Sequence, residues 1–286
     1  MARLLITGGT GYLGQVLLRQ ARANGHTLAA TCFSQEPPSG DGVVWVPLDV
    51  RDSRAVAETL DRLRPEIVIH TAFRQTGPDV LAITGEGAGH VAQAARAVGA
   101  RLIHMSSDVI FDGERDAPYT EDDPPAPVSP YGEAKALAER LVAAAHPEAA
   151  IVRTSLIYGF DAVDRQTQFA LDVASGRRAE RLFVDELRCP VYVEDLAAAL
   201  LELAALPYAG VLNLAGAERV SRHEIGTLMA RAYGLDPAAI PAARSAESPV
   251  RRPRNCALDS SRARSLLRTR LRGLREVLRD LGRITE

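Results

Sequence analysis

Ser107, Tyr131 and Lys135 are the residues whose types and spacing best suit chemistry. Tyr131 and Lys135 stand four residues apart, so on a helix their side chains share one face. A free tyrosine titrates at about 10 and rarely ionises at neutral pH. A fixed ammonium beside it favours the phenolate and moves it toward the range where it gives and takes a proton. Ser107, after a short apolar run, is placed to hydrogen-bond the same carbonyl oxygen from the other side. The reaction these groups serve is hydride transfer to a ketone, with Tyr131 protonating the oxygen and Lys135 also binding the hydroxyls of a nicotinamide ribose. Tyr-x-x-x-Lys also arises by chance, and a serine ending a strand is common. Against chance stands the isolation of Lys135, the single lysine among 34 lysines and arginines. An arginine there would keep the charge but not transfer protons, and its planar fork would not fit the same ribose contact.

Hydride chemistry needs a carrier, and the chain opens with a mount for one. Arg3-Leu4-Leu5-Ile6 reads as a buried strand, Thr7 to Gly14 as a glycine-rich turn, and Gln15 to Ala23 as a helix. Strand, turn and helix in this order suggest a mononucleotide-binding βαβ start. Gly8 makes the tight turn, Gly11 lets the main chain approach a pyrophosphate, and Gly14 lets helix and strand pack closely. Thr10, Tyr12 and Leu13 are placed at the cofactor with them. A turn without a ligand has the same composition; its position before a helix favours the dinucleotide.

The second strand, His26 to Phe33, ends at Ser34, where NAD-preferring folds usually place an acid on the adenosine ribose. Its absence tilts the cofactor toward NADP, with NAD possible, although no arginine sits in that window. Asp49 and Val50 follow the third strand, Val43 to Val46. Asp49 is either a hydrogen-bond acceptor for an adenine amino group or an ordinary turn residue. Asp52 or Ser53 caps the helix from Arg54 to Leu63. The fourth strand, Glu66 to His70, leads to Thr71, Ala72 and Phe73, which suit a chain passing close to the nicotinamide ribose. A helix from about Val80 to Val98, weakened by Gly85, Gly87 and Gly89, precedes the fifth strand, Arg101 to Met105. Alternating strands and helices with short connections argue an α/β fold with a doubly wound parallel sheet.

Asp112 to Pro130 is a proline- and acid-rich loop near a substrate opening. A helix then runs from Tyr131 to Ala145, and a strand from Ala149 to Thr154. Leu182-Phe183-Val184 is a short apolar strand, Val193 to Leu206 a helix, and Gly210 to Leu214 a strand. Ser221 and Glu224 form a capping box for a helix to Tyr233, and a last helix spans about Leu271 to Leu281.

Composition narrows the partners. The chain has 286 residues, 47% of them hydrophobic, and a net charge of -2. That balance gives no reason to expect nucleic acid or an anionic membrane. Cys32, Cys189 and Cys256 are odd in number and far apart, unlike a disulfide framework or a zinc site, so no metal is expected. The opening apolar run is too short for a signal peptide or spanning helix, and a soluble, cytoplasmic protein is expected.

The glycine turn, the strand-end serine and Tyr131-x-x-x-Lys135 resemble the extended short-chain dehydrogenase/reductase superfamily. More narrowly, Ser106-Ser107-Asp108-Val109-Ile110-Phe111-Asp112-Gly113 is similar to the signature of dTDP-4-dehydrorhamnose reductases. Pro190 to Ala197 and Arg252 to Asp259 match that family in order, and the regulatory beta subunit of methionine adenosyltransferase shares the same signatures. The resemblance covers nearly the whole chain. It implies a Rossmann-type domain, 1–155 with 189–215, and a smaller discontinuous substrate domain, 156–188 with 216–286. It further implies reduction of a 4-keto group on a sugar nucleotide, and a possible homodimer.

Carried over by position, Ser107, Tyr131 and Lys135 are catalytic, and Asp108, Phe111 and Arg254 fall where substrate contacts are expected. Arg188 is either a substrate-phosphate ligand or a surface arginine. Val109, Ile157, Thr84 and the stretch Asp185 to Val191 depart from the family pattern, all on the sugar side. A sugar-nucleotide epimerase and a non-catalytic, cofactor-binding regulatory subunit are the competing readings.

Overall fold

The computed structural model describes residues 1–40 and 42–284, so the last two residues of the expected 216–286 stretch lie outside it. The first half alternates strand and helix: β1 (Arg3–Thr7), α1 (Tyr12–Ala23), β2 (Thr27–Cys32), β3 (Val44–Pro47), α2 (Ser53–Leu63) and β4 (Ile67–His70). A π-helical segment, Leu81–Glu86, runs into α3 (Gly87–Ala97), followed by β5 (Arg101–Met105), α4 (Pro130–Ala145) and β6 (Ala150–Thr154). The second half interleaves short pieces: β7 (Ile157–Tyr158), α5 (Arg165–Ala174), β8 (Leu182–Phe183), β9 (Leu187–Arg188) and β10 (Val191–Tyr192). Then come α6 (Val193–Ala204), β11 (Gly210–Leu214), β12 (Val220–Ser221), α7 (Arg222–Ala232), β13 (Ala242–Ala243), α8 (Ser261–Leu266) and α9 (Leu274–Asp280).

Seven strands form one sheet in the order β11-β6-β5-β4-β1-β2-β3, and every pairing in it is parallel. Parallel strands covered on both faces are apolar throughout, and β6 is buried at all five residues. One face packs on α1 and α6 through Leu17, Leu18, Leu196 and Leu200. The other packs on α2, α3 and α4 through Leu60, Val91 and Val142. Strand order reverses between β1 and β4, and a fold of this kind binds ligands in the crevice outside the strand ends at such a point.

Several boundaries move from the sequence expectation for physical reasons. The helix expected from Val80 begins as a π-helical turn. A Cβ on Gly85 would lie 2.9 Å from the Leu137 side chain, and one on Gly87 2.7 Å from Val50. These glycines are what lets the segment lie against α4 and the loop after β3. The last helix starts at Leu274, and α8 ahead of it was not foreseen. Ala263, Leu267 and Leu271 from this tail join the core on the α1/α6 face of the large sheet.

Candidate active site

The glycine turn is shaped by contacts that exclude side chains. Gly8 has φ +68°, and a Cβ on it would stand 2.9 Å from the Ala72 Cα. A Cβ on Gly14 would lie 2.4 Å from the Gly8 carbonyl oxygen, so α1 can press on the turn only with glycine there. Gly11 is the N-cap of α1, with no side-chain cap and no acid in the first turn. Its end therefore presents main-chain donors and the positive pole of the helix dipole toward the crevice. A cradle of this kind fits a pyrophosphate.

The crevice is a cavity of about 230 Å³ lined by Gly8, Thr10, Gly11, Ser34, Asp49, Val50, Thr71, Ala72 and Phe73, all placed at the cofactor from the sequence. Thr31, Cys32, Phe33, Gln35, Leu48, Arg74 and Ile83 complete the lining and were not foreseen. Four expected residues do not line it: Lys135, which lies beyond Phe73, and three at the start of α1. The Tyr12 hydroxyl turns away and donates to the Ala162 carbonyl at 3.2 Å. Leu13 is buried in the core, and Gly14 is covered by the turn. Their place at the helix start limits them to main-chain contacts. Asp49 behaves as a turn residue: its Oδ1 accepts the Arg51 N–H at 3.0 Å, and its carboxylate takes the Arg51 guanidinium. That partner, with hydrogen bonding as the main cause, holds its carboxyl below the usual range.

At the other end of the cavity, beyond Phe73, stand Tyr131 and Lys135. Ser129 caps α4 by accepting the Gly132 N–H, with Pro130 at the first helical position. A Cβ on Gly132 would stand 2.3 Å from the Val109 carbonyl oxygen, so the start of α4 rests on the turn that carries Ser107. Tyr131 and Lys135 project from this end. Lys135 Nζ lies 5.9 Å from the Tyr131 ring centroid and 5.4 Å from that of Phe73, and the Phe73 and Tyr131 rings are 6.0 Å apart. Phe73 thus joins the cofactor cavity to the pair.

The electrostatics correct one expectation. Burial, reinforced by the Asp108 carboxylate, raises the Tyr131 phenol rather than lowering it. Burial lowers Lys135 to about 8, against the opposing pull of Glu139. The ammonium is turned onto the Met105 carbonyl at 2.7 Å, which leaves burial to dominate the phenol. A protonated phenol at neutral pH is the form that a proton donor needs.

Behind the pair, Glu139 accepts from the Ser106 hydroxyl at 2.6 Å and from Arg153 at 3.0 and 2.9 Å. Arg153 also donates to the carbonyls of Glu121 and Asp123, tying the 112–130 loop to α4 and β6. Thr84, at the departure from the family's pattern, brackets Arg74 by accepting its N–H and donating to its carbonyl, both at 2.8 Å.

The residues expected on the substrate side divide differently. Ser107 is half-buried, with its hydroxyl 3.3 Å from Asp108 Oδ1. Asp108 is buried; it accepts from the Ser155 hydroxyl at 2.7 Å and faces Arg188 Nε at 3.7 Å. Desolvation raises its carboxyl, against the pull of Arg188. Phe111 is fully buried, stacked on Tyr119 with centroids 4.0 Å apart, and offers no surface to a ligand. Arg188 is neither a surface arginine nor a free phosphate ligand. It is buried and donates to the carbonyls of Leu187, Arg254 and Pro253 at 2.7, 3.1 and 3.0 Å. Arg254 is exposed and engages Glu114 at 2.8 Å. Among the described residues there is no acid, histidine and cysteine cluster that could hold a metal, and no helix long and apolar enough to cross a membrane.

A doubly wound parallel sheet with a glycine turn at its switch point and Tyr-x-x-x-Lys over the crevice defines a Rossmann-type nucleotide-binding protein. Residues 2–284 match the family model described as RmlD substrate binding domain. The chain belongs to that family. It is 34% identical to the dTDP-4-dehydrorhamnose reductase of Mycolicibacterium smegmatis, over 97% of this chain and 84% of that protein. It is 30% identical to the methionine adenosyltransferase 2 subunit beta of Mus musculus, over 92% of this chain and 82% of that one. Among solved structures, the dTDP-4-dehydrorhamnose reductase of Bacillus anthracis in complex with NADP superposes with a TM-score of 0.83 at 23% identity, over 98% and 97% of the two chains. At that identity the likeness is one of fold.

Proposed function

We propose that this chain is an NAD(P)H-dependent reductase of a keto-sugar nucleotide, of the dTDP-4-dehydrorhamnose reductase type, with NADP as the favoured cofactor. The observation that carries the reading is Phe73: it lines the glycine-turn cavity and its ring lies within 6.0 Å of both the Tyr131 ring and Lys135 Nζ. A dinucleotide with its pyrophosphate on Gly11 and the start of α1 has Phe33, Ser34 and Asp49 at one end and Phe73 at the other. When bound in its reduced form, the nicotinamide supplies the hydride.

This chain's residues then do the rest. Tyr131 gives its phenolic proton to the oxygen of the ketone as that carbon gains the hydride, so the product is an alcohol and the enzyme is left with a phenolate. Lys135, buried beside it, offsets that charge and holds the ribose. Ser107 donates to the same oxygen and orients it. Such positioned donors contribute about 10²- to 10⁴-fold each. The substrate side comprises 156–188 and 216–286, in which Leu274, Val277 and Leu278 pack on α7 while Ala263, Leu267 and Leu271 reach back to the core of the sheet.

The test is NADPH and NADH oxidation against a panel of 4-keto sugar nucleotides, with Tyr131→Phe alongside. The expected outcome is turnover of at least one substrate, lost in the variant while cofactor binding persists. Undiminished turnover in Tyr131→Phe overturns the acid role. Tight cofactor binding without turnover of any substrate favours the regulatory reading, which the mouse relative keeps open.

A further inference from the structure

The adenine end of the cavity carries a charge arrangement that comes from the loop after β3 and not from the end of β2. After β2, where an acid commonly contacts the ribose of NAD, the chain has Phe33 and Ser34. Arg51, from the loop after β3, reaches over to this place, its guanidinium 5.8 Å from the Phe33 ring centroid. One edge of the guanidinium is held by Asp49. Nε donates to the two carboxylate oxygens at 3.0 and 2.9 Å, and Nη2 donates to Oδ2 at 2.6 Å. The other arm, Nη1, faces Asp79 Oδ2 at 3.2 Å, where Arg51 and Asp79 are 37% and 47% exposed.

We infer that Arg51 is the residue by which this chain recognises the 2′-phosphate of NADP(H) and sets it above NAD(H). The inference rests on the cofactor reading above and adds the specificity-determining group to it. Asp49 acts as the orienting brace, because it holds the Nε/Nη2 edge and the Arg51 N–H together and so fixes the fork. Nη1 exchanges Asp79 for the phosphate. An ion pair as exposed as Arg51–Asp79 contributes little, whereas a guanidinium on a phosphate makes short, charge-assisted bonds. Ser34, beside Phe33 in the lining, offers a hydroxyl to the same group and no negative charge to repel it. The hydroxyl that NAD carries at this position offers Nη1 only an uncharged acceptor in exchange for Asp79. The position is legible only in three dimensions, since β3 pairs with β2 and so brings its own loop beside Ser34.

Calorimetric titration of the full chain with 2′,5′-ADP, 5′-ADP, NADPH and NADH tests this without turnover. Wild type is expected to bind each 2′-phosphorylated ligand at least about tenfold more tightly than its partner, the equivalent of one good charge-assisted contact. Arg51→Leu should abolish that ratio by weakening 2′,5′-ADP and NADPH, with 5′-ADP and NADH changed less than about twofold. Asp79→Asn should tighten 2′,5′-ADP, because a competitor for Nη1 is gone. Equal weakening of all four ligands in Arg51→Leu, or a wild type without preference, overturns the assignment while leaving the cofactor site standing. A wild type that binds none of the four overturns the cofactor reading and the assignment together.

Discussion

Lys135 Nζ donates to the main-chain carbonyl of Met105 at 2.7 Å, which fastens α4 to the end of β5 two residues before Ser107. The only lysine of the chain, 5.9 Å from the Tyr131 ring centroid, is therefore a strut between the two elements that carry the proposed site. Burial lowers it from 10.5 to about 8, so its charge is at risk just above neutral pH. Reduction should slow as pH rises through about 8 and the ammonium is lost, measured as kcat/KM from pH 6 to 10. Lys135→Arg should remove that limb, since arginine does not titrate there, and lower the rate by about 100-fold or more. The sign for stability is opposite. Between about 8 and 10.5 the unfolded chain binds more protons than the native one, so the native state gains as pH rises through that window.

Arg188 supports the site from behind. Its guanidinium spans the carbonyls of Leu187, Pro253 and Arg254 and faces the buried Asp108. Removing one partner of a buried pair leaves the other uncompensated, at about 3–5 kcal/mol. Arg188→Met should lose stability on that scale in urea unfolding. The double variant Arg188→Met with Asp108→Asn should recover much of the loss, because no unpaired carboxylate remains. A double variant no more stable than the single one would place the loss in the carbonyl bonds alone.

Much of the fold could be read along the chain, because short, mostly apolar runs between turn residues have few other uses. Arg101–Met105 and Gly210–Leu214 appear with the boundaries read from their residues. The capping box of Ser221 and Glu224 is present as well, since it is a local motif that needs no tertiary partner. What escaped was set by partners far away in sequence. Phe111 sits in a signature beside Ser107 yet turns into the core against Tyr119, and Arg188 is buried because three carbonyls converge on it. Arg51 belongs to the adenine end only because β2 and β3 are neighbours. The lowering of the Tyr131 phenol expected from its spacing to Lys135 was outweighed by burial, which spacing does not reveal.

The packing of the glycine turn makes a sharp prediction at Gly14. The Cβ of Gly14→Ala would stand 2.4 Å from the Gly8 carbonyl and 2.9 Å from the Gly9 Cα, both main-chain atoms that cannot swing aside. Helix α1 must back away, at about 1–3 kcal/mol as for other overpacked sites. The same displacement carries the Gly11 main chain off the pyrophosphate. NADH and NADPH should both weaken, at least about tenfold by calorimetry, in contrast to the selective loss expected of Arg51→Leu.

Acid stability should be governed in part by the row Thr7, His70 and His104, which stand in register on β1, β4 and β5. The two imidazoles are buried and stacked with centroids 5.3 Å apart. Thr7 Oγ1 accepts the Thr71 N–H at 3.2 Å and is hydrogen-bonded to His70 Nδ1 at 2.6 Å. Burial first, and then the Lys135 charge, lowers His70 to about 3 and His104 well below its ordinary 6.5. Both are neutral in the native state at pH 5, while the unfolded chain is protonated at these positions. Between about 6.5 and 3 the unfolded state therefore binds more protons, and native stability falls as pH drops through that window. His70→Gln should be less stable than wild type at pH 7 by about 1–2 kcal/mol, for the disturbed bond to Thr7. Yet it should lose less on acidification, so that the two Tm curves converge between pH 6.5 and 4. Curves that stay parallel would assign the acid sensitivity to carboxylates elsewhere and not to this pair.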